Sequence, residues 1–317
     1  MDFLAQYGLF LLKALTIVVS FLLVIAGIFA LNRKPKPALD ITSLNKQYEE
    51  TQQRMAQEIK DEKLKKKKKT KQYKKEQKEI PSLYVLDFYG DIKASQVEQL
   101  RQAINAILSI AREKDEVLVR LESPGGAVNG YGLAASQLQR LRDKKIPLTV
   151  CIDRIAASGG YLMACVANHI VAAPFAIIGS IGVVAQVPNF HRWLKKHNID
   201  IELLTAGEYK RTLTMFGENT EKGREKFQED LEKIHDAFRS SVLSNRNQLD
   251  IHKVSTGEHW LAKDAFDLNL VDSLKTSDDY LAEKMTEFNM FKISVQAKKS
   301  LMEKLFKPVT KLIHPWA

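Results

Sequence analysis

Ser158 lies in the run Ala156-Ala157-Ser158-Gly159-Gly160-Tyr161, where small neighbours let a second backbone come within reach of its hydroxyl. Leu162 to Val166 continues this run as the opening of a buried helix. The hydroxyl therefore stands beside a helix amino end, which favours developing negative charge. Two readings fit it: a nucleophile, or a serine that merely caps the helix. A second turn, Ser123-Pro124-Gly125-Gly126, offers free backbone N–H groups to a carbonyl oxygen, as an oxyanion hole does; the alternative is a tight turn and nothing more. No Gly-Lys-Ser or Gly-Lys-Thr ending follows it, so it is not a phosphate loop.

A nucleophilic serine needs a base. None of His169, His191, His197, His235, His252, His259 and His314 stands in a loop that marks it as poised, and His191 and His197 fall in a polar stretch that reads as an exposed helix. Lys210, in Gly207-Glu208-Tyr209-Lys210-Arg211, follows the apolar run Ile201 to Thr205 and stands at an expected strand exit. A neutral amine accepts a serine proton where burial has stripped it of its own, whereas a solvated lysine does not. Cys151 and Cys165 sit in apolar runs without ligand-type neighbours at short spacing, so they read as inert thiols, and neither metal nor cofactor is expected.

The elements that must position these groups alternate. Leu83 to Phe88 and Glu116 to Leu121 read as strands, Gln96 to Ala111 and Val128 to Asp143 as helices, and Pro147 to Ile152 and Asn168 to Ala173 as further strands around the helix after Ser158. The order predicts an α/β domain of β-β-α or βαβ units with much parallel pairing, its ligand site at strand ends. Pro81 marks the amino boundary of this domain.

Before Pro81 the chain has a different character. Ala14 to Leu31 is uncharged and mostly apolar, which with Gly8 to Leu12 and a snorkelling Lys13 predicts a single membrane-spanning anchor across 1–36. Asp2 and the lack of basic residues before Lys13 speak against a cleaved signal. Arg33, Lys34 and Lys36 favour the cytoplasm for the downstream chain by the positive-inside rule, although a single span with a short flank inserts either way and the periplasm stays open. Residues 37–80 read as a charged helical or disordered spacer. Most of the net charge of +10 falls between Lys60 and Glu79, where eleven lysines face four acids and only Tyr73 interleaves. That pattern excludes a folded nucleic-acid groove and suits a lipid headgroup surface. Beyond residue 280, Leu301, Leu305, Val309 and Leu312 recur beside lysines as a basic amphipathic helix, which packs on the domain or lies on a bilayer.

Ser123-Pro124-Gly125-Gly126, Ala157-Ser158-Gly159-Gly160-Tyr161, Ile178-Gly179-Ser180-Ile181-Gly182-Val183 and Gly207-Glu208-Tyr209-Lys210, in that order, resemble the signal peptide peptidase A family of membrane serine proteases. The resemblance implies a Clp protease/crotonase-like core of repeated β-β-α units over 81–280, hydrolysing peptide bonds in signal peptides or small unfolded chains at the bacterial inner membrane. It implies Ser158 as nucleophile, Lys210 as general base, and an oxyanion hole from Gly159 with Gly125 or Gly126. It further implies that the dyad forms between neighbouring copies, hence a homo-oligomeric ring. The chain departs from the family pattern at Arg211, where a small residue often follows the lysine, and at Asn269, which replaces a glycine before Leu270-Val271-Asp272; asparagine is the residue next best suited to a left-handed turn. Two other functions remain open: a non-catalytic oligomeric scaffold at the membrane, and a crotonase-like acyl-CoA enzyme.

Overall fold

The computed structural model describes residues 2–32, 38–59 and 80–296. The lysine-rich run from Lys60 to Glu79 and the amphipathic segment after residue 296 lie outside them. Two compact units result, Ile41–Ser294 and Met1–Asp40 with Val295–Ala317. In the second unit α1 (Asp2–Asn32) is a helix. Among the described residues no helix is long and apolar enough to cross a membrane, and the expected span runs into 23–31, whose side chains lie outside the description.

The larger unit is a mixed α/β fold. After β1 (Ala38–Ser43) and α2 (Leu44–Glu58) come β2 (Ser82–Tyr89), α3 (Val97–Ile110), β3 (Glu116–Glu122), α4 (Val128–Asp143), β4 (Leu148–Ile152), β5 (Ile155–Ala157), α5 (Gly159–Ala164), β6 (His169–Ala172) and β7 (Ile177–Gly179). Then follow α6 (His191–Lys196), α7 (Glu221–Asn245), α8 (Ile251–Val254), β8 (His259–Leu261), α9 (Ala262–Asp267), β9 (Ser273–Leu274), α10 (Ser277–Lys284) and β10 (Asn289–Gln296). Seven strands form one sheet in the order β1-β10-β2-β3-β4-β6-β9, and β5-β7-β8 form a second. From β10 to β9 every pairing in the large sheet is parallel. Parallel strands are covered on both faces, which is why Leu83 to Leu86 and Leu148 to Ile152 are buried without alternation. In α3 the buried residues Leu100, Ala103, Ile104 and Ile107 follow the helical period of 3.6.

The chain visits the two sheets in turn. β4 lies in the large sheet and β5 in the small one before α5; β6 and β7 repeat the move. An earlier pass is abbreviated: after β3, Ser123 alone bridges in parallel to Ala156 of β5, and α4 follows. Each of these passes runs strand, strand, helix. The expected strand at Ile201 to Thr205 has no regular structure, and its Ile201, Leu203 and Leu204 side chains are exposed. With no partner edge to bond, an apolar run does not hold a strand conformation.

One buried ion pair closes the carboxyl side of the fold. Arg246, just past α7, holds both oxygens of Asp272 at 2.7 and 2.8 Å and donates to the Asn269 carbonyl at 2.7 Å. Asn269 adopts φ 60°, the left-handed turn expected of it. Burial works to raise the Asp272 carboxyl, but Arg246 and the Ile170 N–H overcome it and hold the group below the usual carboxylate range. A depressed carboxyl contributes stability above its unfolded value and loses it as pH falls through the folded one. The melting midpoint should therefore hold above about pH 5 and drop below about pH 4. Arg246→Met, which leaves the half-buried Asp272 without its guanidinium partner, should cost about 2 kcal/mol and flatten that acid-side drop; circular dichroism melts between pH 3 and 8 measure both.

Candidate active site

The bridge Ser123↔Ala156 fixes the register of two strand-to-helix turns. Two residues further on, it sets Gly125 beside Ser158. The contact is tight: a Cβ on Gly125 would come within 2.7 Å of Ser158 Cβ and 2.8 Å of the Gly159 nitrogen. The next repeat is in register too, since Ala157 pairs with Gly179, which places Ser180 after Ser158. Gly125, Ser158 and Ser180 have φ of 91°, 51° and 54°. Such angles strain a serine and persist only where the surroundings enforce them.

Ser158 does not cap its helix, for its side chain makes no cap hydrogen bond to α5. Its backbone N–H donates to the Gly179 carbonyl at 2.8 Å, which holds the turn against β7 and leaves the hydroxyl toward a cavity of about 1490 Å³. The Gly125 N–H is used internally, donating to Ser123 Oγ at 3.1 Å. Among the described residues the Gly126 and Gly159 N–H groups have no protein acceptor. Two residues with unpaired donors thus line the same cavity as Ser158, and of the two glycines left open by the sequence, Gly126 is the one whose N–H is not already engaged. The cavity continues between α4 and α7 past Tyr131, Ala135, Leu162, Val166 and Phe238. Its apolar walls suit an apolar side chain of a bound chain.

Lys210 is not among the residues lining this cavity. It is exposed, in a loop where its N–H donates to Gly207 at 3.2 Å. Glu208 pairs with Lys222 at 2.5 Å, and Lys222 and Lys226 of α7 lie 5.9 and 5.8 Å from the Tyr209 ring centre, so the loop is tethered to the amino end of α7. Burial of a single chain does not bring Lys210 to Ser158. His235 does line the cavity, but its Nε2 lies 3.3 Å from the Ile181 carbonyl oxygen. His169 sits 3.1 Å from Ser273 Oγ and 3.9 Å from Asp272, an arrangement that resembles a triad; Asp272, however, is committed to Arg246. Cys151 and Cys165 are buried and free; burial pushes both thiols up, Cys165 to about 12, so neither supplies a thiolate. Among the described residues no cluster could hold a metal ion. Sequence reasoning missed Tyr131, which in a helix interior reads as core; its ring packs beneath Gly159.

A serine in a strained turn, with unpaired N–H groups beside it and an apolar cleft in front, is the layout of a hydrolytic site on an α/β scaffold. Comparisons with known proteins give the family. Residues 2–138 match the model of the peptidase family S49 N-terminal region and residues 140–290 that of peptidase family S49. The chain described as probable protease SohB from Haemophilus influenzae is 49% identical over 96% of this chain and 92% of its own length. Its counterpart from Buchnera aphidicola subsp. Schlechtendalia chinensis is also 49% identical, over 89% of this chain and 99% of its own. A solved structure of the 1510-N membrane-bound stomatin-specific protease with a substrate peptide is 14% identical and superposes with a TM-score of 0.45 over 74% of this chain and 99% of that one. The chain belongs to peptidase family S49, and it is a peptidase.

The Gly125 contact gives a direct test. Gly125→Ala should leave the far-ultraviolet spectrum intact yet lower peptide turnover about a hundredfold, because the added methyl displaces both Ser158 and the Gly159 N–H.

Proposed function

We propose that this peptidase is a membrane-anchored serine endopeptidase with a Ser158–Lys210 dyad. The observation that carries the reading is the Ser158 hydroxyl, uncapped in a strained turn, in a cavity also lined by Gly126 and Gly159, whose N–H groups are unpaired. Ser158 Oγ attacks the scissile carbonyl carbon while its proton passes to Lys210 Nζ. The carbonyl oxygen, now an oxyanion, is held by Gly126 and Gly159. Collapse breaks the C–N bond, and the leaving amine takes the proton from Lys210. Water, giving its proton to the now neutral Lys210 Nζ, then attacks the acyl ester, and Lys210 returns the proton to Ser158 Oγ as the acid leaves.

Lys210 comes from a neighbouring copy in a homo-oligomeric ring. In support, it is exposed on a tethered loop away from its own Ser158 cavity. Packing against a neighbour would desolvate it, and only a desolvated lysine is a competent base. Ser158→Ala and Lys210→Ala should each lower turnover of a fluorogenic apolar peptide at least a thousandfold. Mixed at equal amounts and reassembled, the two should recover about a quarter of parent activity, the chance that an intact serine meets an intact lysine across an interface. Equal turnover in parent and single variants would remove the dyad; no recovery on mixing would place it within one chain.

The anchor rests on α1, where Leu9, Phe10, Leu12, Leu15, Ile17 and Phe21 are all exposed. A helix apolar on every side is at home only in a protein core or a bilayer. Substrates are then apolar or small chains near the membrane, signal peptides among them, and the bacterial inner membrane is the location. Alkaline carbonate should leave the full chain in the membrane pellet and release a chain lacking residues 2–32. A reporter fused after Ala317 reads which side the domain occupies.

A further inference from the structure

Tyr131 and Ser123 are buried, polar and unused by the dyad. Ser123 has every polar atom engaged. Its N–H donates to the Ile155 carbonyl at 2.8 Å, and its own carbonyl accepts from Ala157 at 3.0 Å. Its Oγ accepts from the Gly125 N–H at 3.1 Å and lies 2.6 Å from Tyr131 Oη. Tyr131 Oη donates to the Asp91 carbonyl at 2.8 Å. Because that proton is spent on Asp91, the Ser123 hydroxyl must be the donor to Tyr131. The direction of the whole chain follows: Gly125 N–H to Ser123 Oγ–H to Tyr131 Oη–H to the Asp91 carbonyl. Gly90 makes room for it, since a Cβ there would collide with both Ser123 Oγ and Tyr131 Oη.

The other end of Tyr131 also touches the site. A Cβ on Gly159 would run into the Tyr131 ring, so the ring is the floor on which the Gly159 turn rests. One side chain thus braces both turns: its ring lies under Gly159, and its hydroxyl, through Ser123, holds Gly125. The N–H of Gly125 is thereby turned away from the cavity, and that of the next residue, Gly126, is left facing no protein acceptor.

We infer that Tyr131 is a positioning residue of the hydrolytic site, holding the Gly125–Gly126 and Ser158–Gly159 turns in register through a directional hydroxyl relay to Ser123. The inference rests on the serine-peptidase reading above. Both hydroxyls of the relay are fully buried, so they touch neither substrate nor reacting atoms. The relay fixes where the oxyanion donors stand, so its loss should tell on the tetrahedral state and not on the bound peptide.

Full-length Tyr131→Phe, which removes one hydroxyl and keeps the ring, is the test. With a fluorogenic apolar peptide, kcat should fall about tenfold while KM stays within about twofold. Affinity for a peptide boronic acid, which forms a tetrahedral adduct on Ser158, should fall by the same factor as kcat. Binding of an uncleaved peptide to Tyr131→Phe combined with Ser158→Ala should match that of Ser158→Ala alone. Ser123→Ala, which breaks the relay at its other member, should give the same split, and it carries the test if Tyr131→Phe does not accumulate folded. Parent-like kcat in the folded variant, or a lower kcat with unchanged boronate affinity, overturns the inference. Full turnover by Ser158→Ala would instead overturn the serine reading on which it rests, and the two failures are told apart by that single control.

Discussion

The register between Ser123 and Ala156 is the constraint on which the site depends. It is a small thing, one parallel bridge with a pair of main-chain hydrogen bonds. Yet register in a sheet is all or nothing, because a slip of one residue turns every side chain to the opposite face. With Ser123 opposite Ala156, the two turns that follow pack closely, Gly125 against Ser158 and Gly159. Neighbouring repeats of one fold motif have thus been converted into two halves of a polar socket. The left-handed angles at Gly125, Ser158 and Ser180 mark the same corner in three successive passes of the chain.

This socket is rigid because its supports are buried. Ser123 and Tyr131 are without measurable exposure, and buried polar groups with every bond made are costly to rearrange. Lys210 belongs to a different regime. It stands on an exposed loop held by an ion pair and by lysines over a tyrosine ring, contacts that weigh little at a surface. Under the proposed reading the nucleophile and its oxyanion donors are prepared by folding, whereas the base is delivered by assembly. Activity would then follow protein concentration in a way that stability does not.

Much of this was legible in the sequence. β2, β3, α3 and α4 follow from unbroken apolar runs and from the spacing of Leu100, Ala103, Ile104 and Ile107, because burial on a sheet or along a helix stripe imposes those periods locally. The motif loops were legible because glycine is required where backbones nearly touch, as at Gly125 and Gly160. The rest depends on distant partners. Ile201 to Thr205 has the composition of a strand but no edge to join. Tyr131 has the pattern of a core residue, and only the neighbour of its hydroxyl gives it another role. The choice between Gly125 and Gly126 turned on a hydrogen bond to Ser123, which no spacing rule encodes.

β10 carries a last consequence. It lies between β1 and β2 in the large sheet, although some 200 residues separate it from β2 along the chain, a distance that adds little closure entropy but delays contact. On a growing polypeptide, β2 can zip to β3 soon after both are made. Its opposite edge then stays unsatisfied until the chain between β2 and β10 has emerged. An apolar strand waiting with bare amides is the species that chaperones hold and that mispairs when they do not. The turn that carries Ser158 is made well before the strand that seals the free edge of β2.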